Sequence, residues 1–295
     1  MKTKLITTVA GLTLFPLAAL AAEADWSAVS AALGKAGTEM PGGVYRVGLP
    51  RTDLHVTVDN VAIKPGFALG GWLAFRNHNG MTMVMGDLVL TGDEVNPVMK
   101  KLAEGGIEIT ALHNHLLRAE PAPYYMHVFG NGDTVKLARA LHDGLAVSHT
   151  PLTATPPAAG APAPLDLDTA MIDSTLGAKG KGVGGIYQVG IKRAENIQDN
   201  GMEVPVAMGS GEAINFQPTG GGKAAITGDF VLTAREVNPV LRALRENGIE
   251  VTALHNHMLD DEPRLFFMHF WAHDDARKLA TGLRRALDQI NLARS

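Results

Sequence analysis

The chain contains no cysteine. Disulfides, iron–sulfur clusters, thiolate metal sites, a cysteine nucleophile and a cysteine-borne lipid anchor are thereby excluded. It also lacks a basic run. Asp and Glu outnumber Lys and Arg by 30 to 26, giving a formal charge of −4, which argues against nucleic acid as a partner. Long apolar runs are confined to the N-terminus, and nothing after residue 22 approaches the ~20 apolar residues of a membrane-spanning helix.

What is present begins with a leader. Lys2 and Lys4 precede an apolar stretch from Leu5 to Leu20, and Ala19-Leu20-Ala21 supplies small residues for cleavage. The pattern predicts a secretory signal peptide over 1–22, too short for a membrane span, and a soluble mature chain that is periplasmic or secreted. Loss of the two lysines takes the charge to −6 (−4 − 2). With 46% apolar residues in 295, the chain is long enough to bury a large core.

The remainder says the same thing twice. Residues 107–127 read IEITALHNHLLRAEPAPYYMH, and 249–269 read IEVTALHNHMLDDEPRLFFMH, an offset of 142 (249 − 107). The halves align without net gap from about Gly42 to about Leu145. Such self-similarity shows which residues both copies keep. Repeat lobe 1 is assigned to 23–149 and repeat lobe 2 to 168–295. The Pro/Ala-rich 150–167 between them reads as an extended linker.

Each half opens with a short amphipathic helix, Trp26 to Leu33 and Leu167 to Leu176, and then a Gly-rich strand entry, GGVYRVGL and GGIYQVGI. Further strands are expected at 55–59, 72–75 and 81–90. Val95, Val98, Met99 and Leu102 fall at helical spacing over 94–106, and Gly105-Gly106 ends that helix. A histidine strand, a loop, a return strand and a last helix from about Asp133 to Leu145 complete each half. The expected fold is α+β: two tandem homologous lobes, each an antiparallel sheet with a β-α-β-β-α tail.

Each copy carries His-x-His, a Glu-Pro and a further His: His113, His115, Glu120 and His127, then His255, His257, Glu262 and His269. Alternation puts Ile107, Ile109, Ala111, His113 and His115 on one strand face. A hairpin centred near Glu120 sets His113 opposite His127. Three imidazoles and a carboxylate would converge in each lobe, a donor set suited to Zn or Cu, and also to Fe, Ni or Mn. Imidazole hydrogen bonds that pin a tight loop in both lobes would leave the same pattern. In an enzyme, Glu120 and Glu262 would serve as general bases.

Other recurrent features have plainer readings. Met81, Met83 and Met85 alternate along one strand in the first half only, a stripe typical of core packing, with Cu(I) ligation as the alternative. Arg51 with Asp53 and Arg193 with Glu195 are expected to form ion pairs, or to anchor an anion between the lobes. Gly86-Asp87 and Gly228-Asp229 are read as shaping a bend. No Ser-His-Asp set stands at informative spacing.

The His-x-His…Glu order resembles the cupin metal motif, although the last His follows too soon and helices interrupt the strands. Over nearly the whole mature chain the sequence resembles the LppY/LpqO family of exported bacterial proteins. The matching runs are GGVYRVGLPRTDL, GDLVLTGDEVNPVMKKLAEGGIEITALHNHLL, EP and MHVFGNGD, repeated as GDFVLTAREVNPVLRALRENGIEVTALHNHML, EP and MH. That family is named for lipoproteins, and this chain has no cysteine to carry a lipid. The resemblance implies a duplicated domain of unknown function and no particular reaction. The partners expected from the residues are a metal ion or a small molecule.

Overall fold

The computed structural model describes residues 25–78, 80–153 and 165–294. The expected signal peptide, 1–22, and most of the expected linker, 150–167, lie outside them. Lobe 1 runs α1 (Trp26–Leu33), β1 (Thr38–Met40), β2 (Val44–Pro50), β3 (Val56–Val58), β4 (Val61–Ile63), α2 (Pro65–Ala68), β5 (Gly70–His78) and β6 (Met81–Leu90). It continues with α3 (Gly92–Glu104), β7 (Glu108–His113), β8 (Ala119–Glu120), β9 (Tyr124–Gly132) and α4 (Thr134–Leu145). Lobe 2 repeats this as α5 (Thr169–Leu176), β10 (Lys181–Val183), β11 (Ile186–Ile191), β12 (Gln198–Asp199), β13 (Met202–Glu203) and β14 (Glu212–Gly220). Then follow β15 (Lys223–Thr233), α6 (Ala234–Glu246), β16 (Glu250–His255), β17 (Asp261–Glu262), β18 (Leu265–Asp275) and α7 (Ala276–Leu287). The expected α+β architecture of two similar lobes is what the chain adopts.

Each lobe builds one six-stranded antiparallel sheet, ordered β1-β2-β5-β6-β9-β7 and β10-β11-β14-β15-β18-β16. One sheet face packs on the lobe's own helices: Val84, Leu88, Met126 and Val128 meet Val98, Leu102 and Leu141 in lobe 1. Helices α3 and α6 start with capping boxes, Thr91 with Glu94 and Thr233 with Glu236, which satisfy N-terminal N–H groups that have no intrahelical acceptor.

The other sheet face meets the other lobe. Val44, Met83, Met85 and Phe129 of lobe 1 pack with Ile197, Met202, Val204 and Phe267 of lobe 2. Reciprocally, Val56, Val58, Phe67 and Tyr125 pack with Ile186, Ala225 and Trp271. The small sheets β4-β3-β8 and β13-β12-β17 thus clasp the opposite lobe. Fully burying one such Leu or Phe contributes roughly 1.5–3 kcal/mol, so the two lobes share a core. Met83 and Met85 belong to this apolar packing, while Met81 is exposed.

Candidate metal centre

The histidines do not share a face with Ile107 and Ile109. A β-bulge interrupts β7 between Ile109 and Ala111, so that Ile109 lies opposite Val128 but Ala111 lies opposite His127. Consecutive residues of a strand point to opposite faces, and direct cross-strand partners share one. The bulge therefore flips Ala111 and His113 off the helix-packed face onto the face that meets the other lobe. It also moves the register: His113 stands opposite Tyr125, not His127. The second copy carries the same bulge between Val251 and Ala253.

Because both copies flip, the two histidine sets converge into one cluster. His113 stacks on His255 with ring centroids 3.5 Å apart, His115 on His269 at 3.6 Å, and His127 on His257 at 3.7 Å. His113 and His255 are repeat mates, and the other two contacts exchange mates, which is the pattern of a two-fold axis between the lobes. Expectation and structure differ here: one shared centre replaces two separate ones. The edge strands also touch, Thr110 Oγ1 donating to the His257 carbonyl at 2.5 Å and Asn256 Nδ2 to the Thr110 carbonyl at 2.9 Å.

The carboxylates beside the imidazoles are Asp87 and Asp229. Strand register sets Asp87 opposite His127 and Asp229 opposite His269. His257 Nε2 lies 3.3 Å from Asp229, and His115 Nε2 lies 4.0 Å from Asp87. Glu120 and Glu262 stand elsewhere. Both are exposed, on β8 and β17, which pair with β3 and β12 of the small sheets. The turn residues Gly86 and Gly228 do not bend their strands, which run in register with both neighbours. A Cβ on Gly86 would come within 2.6 Å of Leu73, and one on Gly228 within 2.1 Å of the Ala213 carbonyl. The glycine answers crowding on its own face, and the aspartate after it enters the centre. From the sequence this aspartate is assigned to a bend and missed as a site residue; its recurrence in both halves is the signal that could have found it.

The ring nitrogens divide by role. His269 Nδ1 donates to the Gly228 carbonyl at 2.9 Å, His255 Nδ1 to the Asn256 carbonyl at 3.0 Å, and His127 bonds the Gly86 backbone. A carbonyl only accepts, so the proton sits on Nδ1 and the Nε2 lone pair is left to bind something else. Among the described residues, the Nε2 atoms of His113, His115, His127, His255, His257 and His269 are all buried and without a hydrogen-bond partner. Asp87 Oδ1 and Asp229 Oδ1 share that condition.

Burial, reinforced by neighbouring imidazoles, holds His115, His127 and His257 well below the ordinary histidine range. Burial likewise lowers His113 and His255, and brings His269 down to about 3. The rings are thus neutral, the state in which imidazole ligates a metal. Burial raises both aspartates, and for Asp87 the Asp229 charge adds to it. Donor atoms fall into two sets that match across the axis save for His255: Asp87, His115 and His127 in one, and Asp229, His255, His257 and His269 in the other. Two further sets cross it: His113, His115 and His269, and His113, His127 and His255.

Arg51 and Arg193 are fully buried inside their own lobes. Arg51 is bonded by Asp53, Glu94 and the Val89 carbonyl, and Arg193 by Glu195, Glu236 and the Val231 carbonyl. Both are ion-paired within a lobe, and Arg193 also borders a cleft lined in part by Met40, Pro41 and Arg46 of lobe 1.

Comparison with solved structures returns a trimeric bacterial microcompartment shell protein, PduB, at 10% identity and a TM-score of 0.19, over 86% of this chain and 90% of that one. It also returns EtuB from Clostridium kluyveri at 9% identity and a TM-score of 0.18, over 85% and 90%. No curated protein matches. Among the described residues no helix is long and apolar enough to cross a membrane. The family described as "Domain of Unknown Function (DUF1259)" matches at 27–147 and again at 170–289, and the chain belongs to that family, with its domain present twice.

Proposed function

We propose that this is an exported transition-metal-binding protein of the LppY/LpqO type, which holds up to two ions in the single centre between its lobes. One observation carries the reading: six buried imidazole Nε2 atoms and two carboxylate oxygens converge without partners. Leaving a buried polar group unsatisfied costs about 1–3 kcal/mol, so a fold that gathers these eight, with His113 Nδ1 as a ninth, gains from a ligand that takes lone pairs. Nitrogen and oxygen donors without thiolate suit Zn(II) or Cu(II). The backbone carbonyls on Nδ1 of His127, His255 and His269 are the supports that orient ligating imidazoles. Export rests on the leader over 1–22, and the family type on the motif runs named above.

Titration of metal-free protein with Zn(II) and with Cu(II) by calorimetry tests the proposal. Saturation at about one or two ions per chain, lost in His115→Ala/His257→Ala, is expected. Heats no larger than buffer dilution for both metals would overturn it.

A second reading, metal-dependent hydrolysis of an exported substrate, is favoured by the cleft that opens on the centre. Its volume is about 390 Å³, and His115, His257, His269, Asp87 and Asp229 are among the residues that line it. A closed storage site needs no such approach. Absorption spectra of the Co(II)-substituted protein that change on adding a small ligand such as azide would favour this reading, since an open coordination position is required.

A further inference from the structure

The cleft is not symmetric, although the centre is. Its lining also includes Arg46, on β2, whose repeat mate is Gln188 (46 + 142). Arg46 lies on the sheet face that meets the other lobe, its guanidinium 4.1 Å above the Trp72 ring, and Nη1 donates to the Ala207 carbonyl. Trp72 too is peculiar to the first half: it stands opposite Asp87, whereas the residue opposite Asp229 in the second half is Ala213.

Among the described residues Arg46 has no carboxylate partner. That sets it apart from Arg51 and Arg193, each bonded to two acidic side chains. Burial lowers its pKa to about 10, opposed only by the charge of Asp87. A desolvated guanidinium with donors to spare is costly unless something anionic completes it. Its planar fork matches two oxygens of a carboxylate or phosphate. A volume near 390 Å³ suits a small molecule. Lys181 adds a second cation to the lining.

We infer that the cleft takes a small molecule bearing an oxyanion, carboxylate or phosphate, which Arg46 grips while the rest of the ligand reaches the histidine centre. This rests on the metal reading for what the far end of the ligand meets, and not for the anion grip itself. Only the first repeat carries this grip, and the second has Gln188 at that position, whose Nε2 donates to the Gly66 carbonyl.

The test is calorimetric titration of the intact protein, metal-free and Zn-loaded, with inorganic phosphate and separately with acetate. Metal content is measured on the same samples. Binding of one or both anions is expected, weakened at least ~10-fold in Arg46→Gln and by less in Arg46→Lys, which keeps the charge but not the fork. The anion that binds tighter identifies the oxyanion. Equal affinity in wild type and Arg46→Gln, or no binding of either anion at ~10 mM, overturns the inference. A protein that binds the anion but no metal overturns the metal reading alone. An unfolding midpoint of Arg46→Gln matching that of the wild type separates loss of the grip from loss of the fold.

Discussion

Two polar constellations are duplicated in this chain, and they end differently. Around Arg51 every charge has found a partner: Asp53, the Val89 carbonyl, and Glu94, which also accepts from the Thr91 and His149 backbones. Around the histidines hardly anything has. Six Nε2 atoms and two carboxylate oxygens are buried and unpaired. Both sets recur at an offset of 142, so recurrence alone does not separate scaffold from site. Satisfaction does. The Arg51 set is complete with protein atoms, and the Arg193 set leaves only Glu212 Oε1, 3.8 Å from Arg193 Nη1, without a hydrogen bond; in the histidine centre such atoms are the rule.

The comparison can be broken at its structural end first. Arg51→Met leaves Glu94 buried with its main counter-charge gone, and should destabilise the fold by about 3–5 kcal/mol. Denaturant unfolding measures this, and the surviving folded fraction should still bind metal. A loss below 1 kcal/mol would mean that the arginine set is not scaffold. At the other end, metal should stabilise the wild type by about 2.7 kcal/mol when the free ion is 100-fold above its dissociation constant. The same addition should leave the unfolding midpoint of His113→Ala/His255→Ala unmoved.

Acid sharpens the contrast. The cluster histidines have folded-state pKa values below the ordinary 6.5, His269 at about 3. Their contribution to stability is full above about pH 6.5 and is lost as the pH falls from there toward the folded values. Asp87 and Asp229 are raised and act in the opposite sense, stabilising at pH below their ordinary 3.8 and losing this as the pH rises through their folded values. Six rings outweigh two carboxyls between pH 7 and 5. Metal-free wild type should therefore lose stability over that interval, and His113→Ala/His255→Ala should lose less; parallel curves would show that the rings are not buried neutral. The smallest effect is expected from Glu120→Gln with Glu262→Gln. These exposed side chains should alter neither metal content nor stability beyond ~0.5 kcal/mol, and a drop in bound metal would restore them as ligands.

The sequence made the six histidines visible because two copies kept them, and the strand and helix order followed from alternation and helical spacing. Three features were not legible. The bulge at Thr110 inverts the face on which His113 lies, and nothing in ITALH marks an extra residue in the ladder. Asp87 and Asp229 were seen to recur, but a Gly-Asp pair inside a strand looks like a bend until the crowding around Gly86 is known. The meeting of the two clusters is a tertiary event, produced when each small sheet clasps the opposite lobe. Met83 and Met85 belong to that clasp, which explains why the second half, packing a different surface, has Ala225 and Thr227 in their places.

Whether metal completes one shared centre is decided by elemental analysis of the protein purified from metal-replete cells, beside its His113→Ala and His255→Ala single variants. The account predicts about one or two transition-metal ions per wild-type chain and a loss in each variant, because either half's histidine serves the same centre. Metal-free wild type would contradict it, and so would a variant that gives up one ion while the other site stays fully loaded, since that is the behaviour of two independent sites.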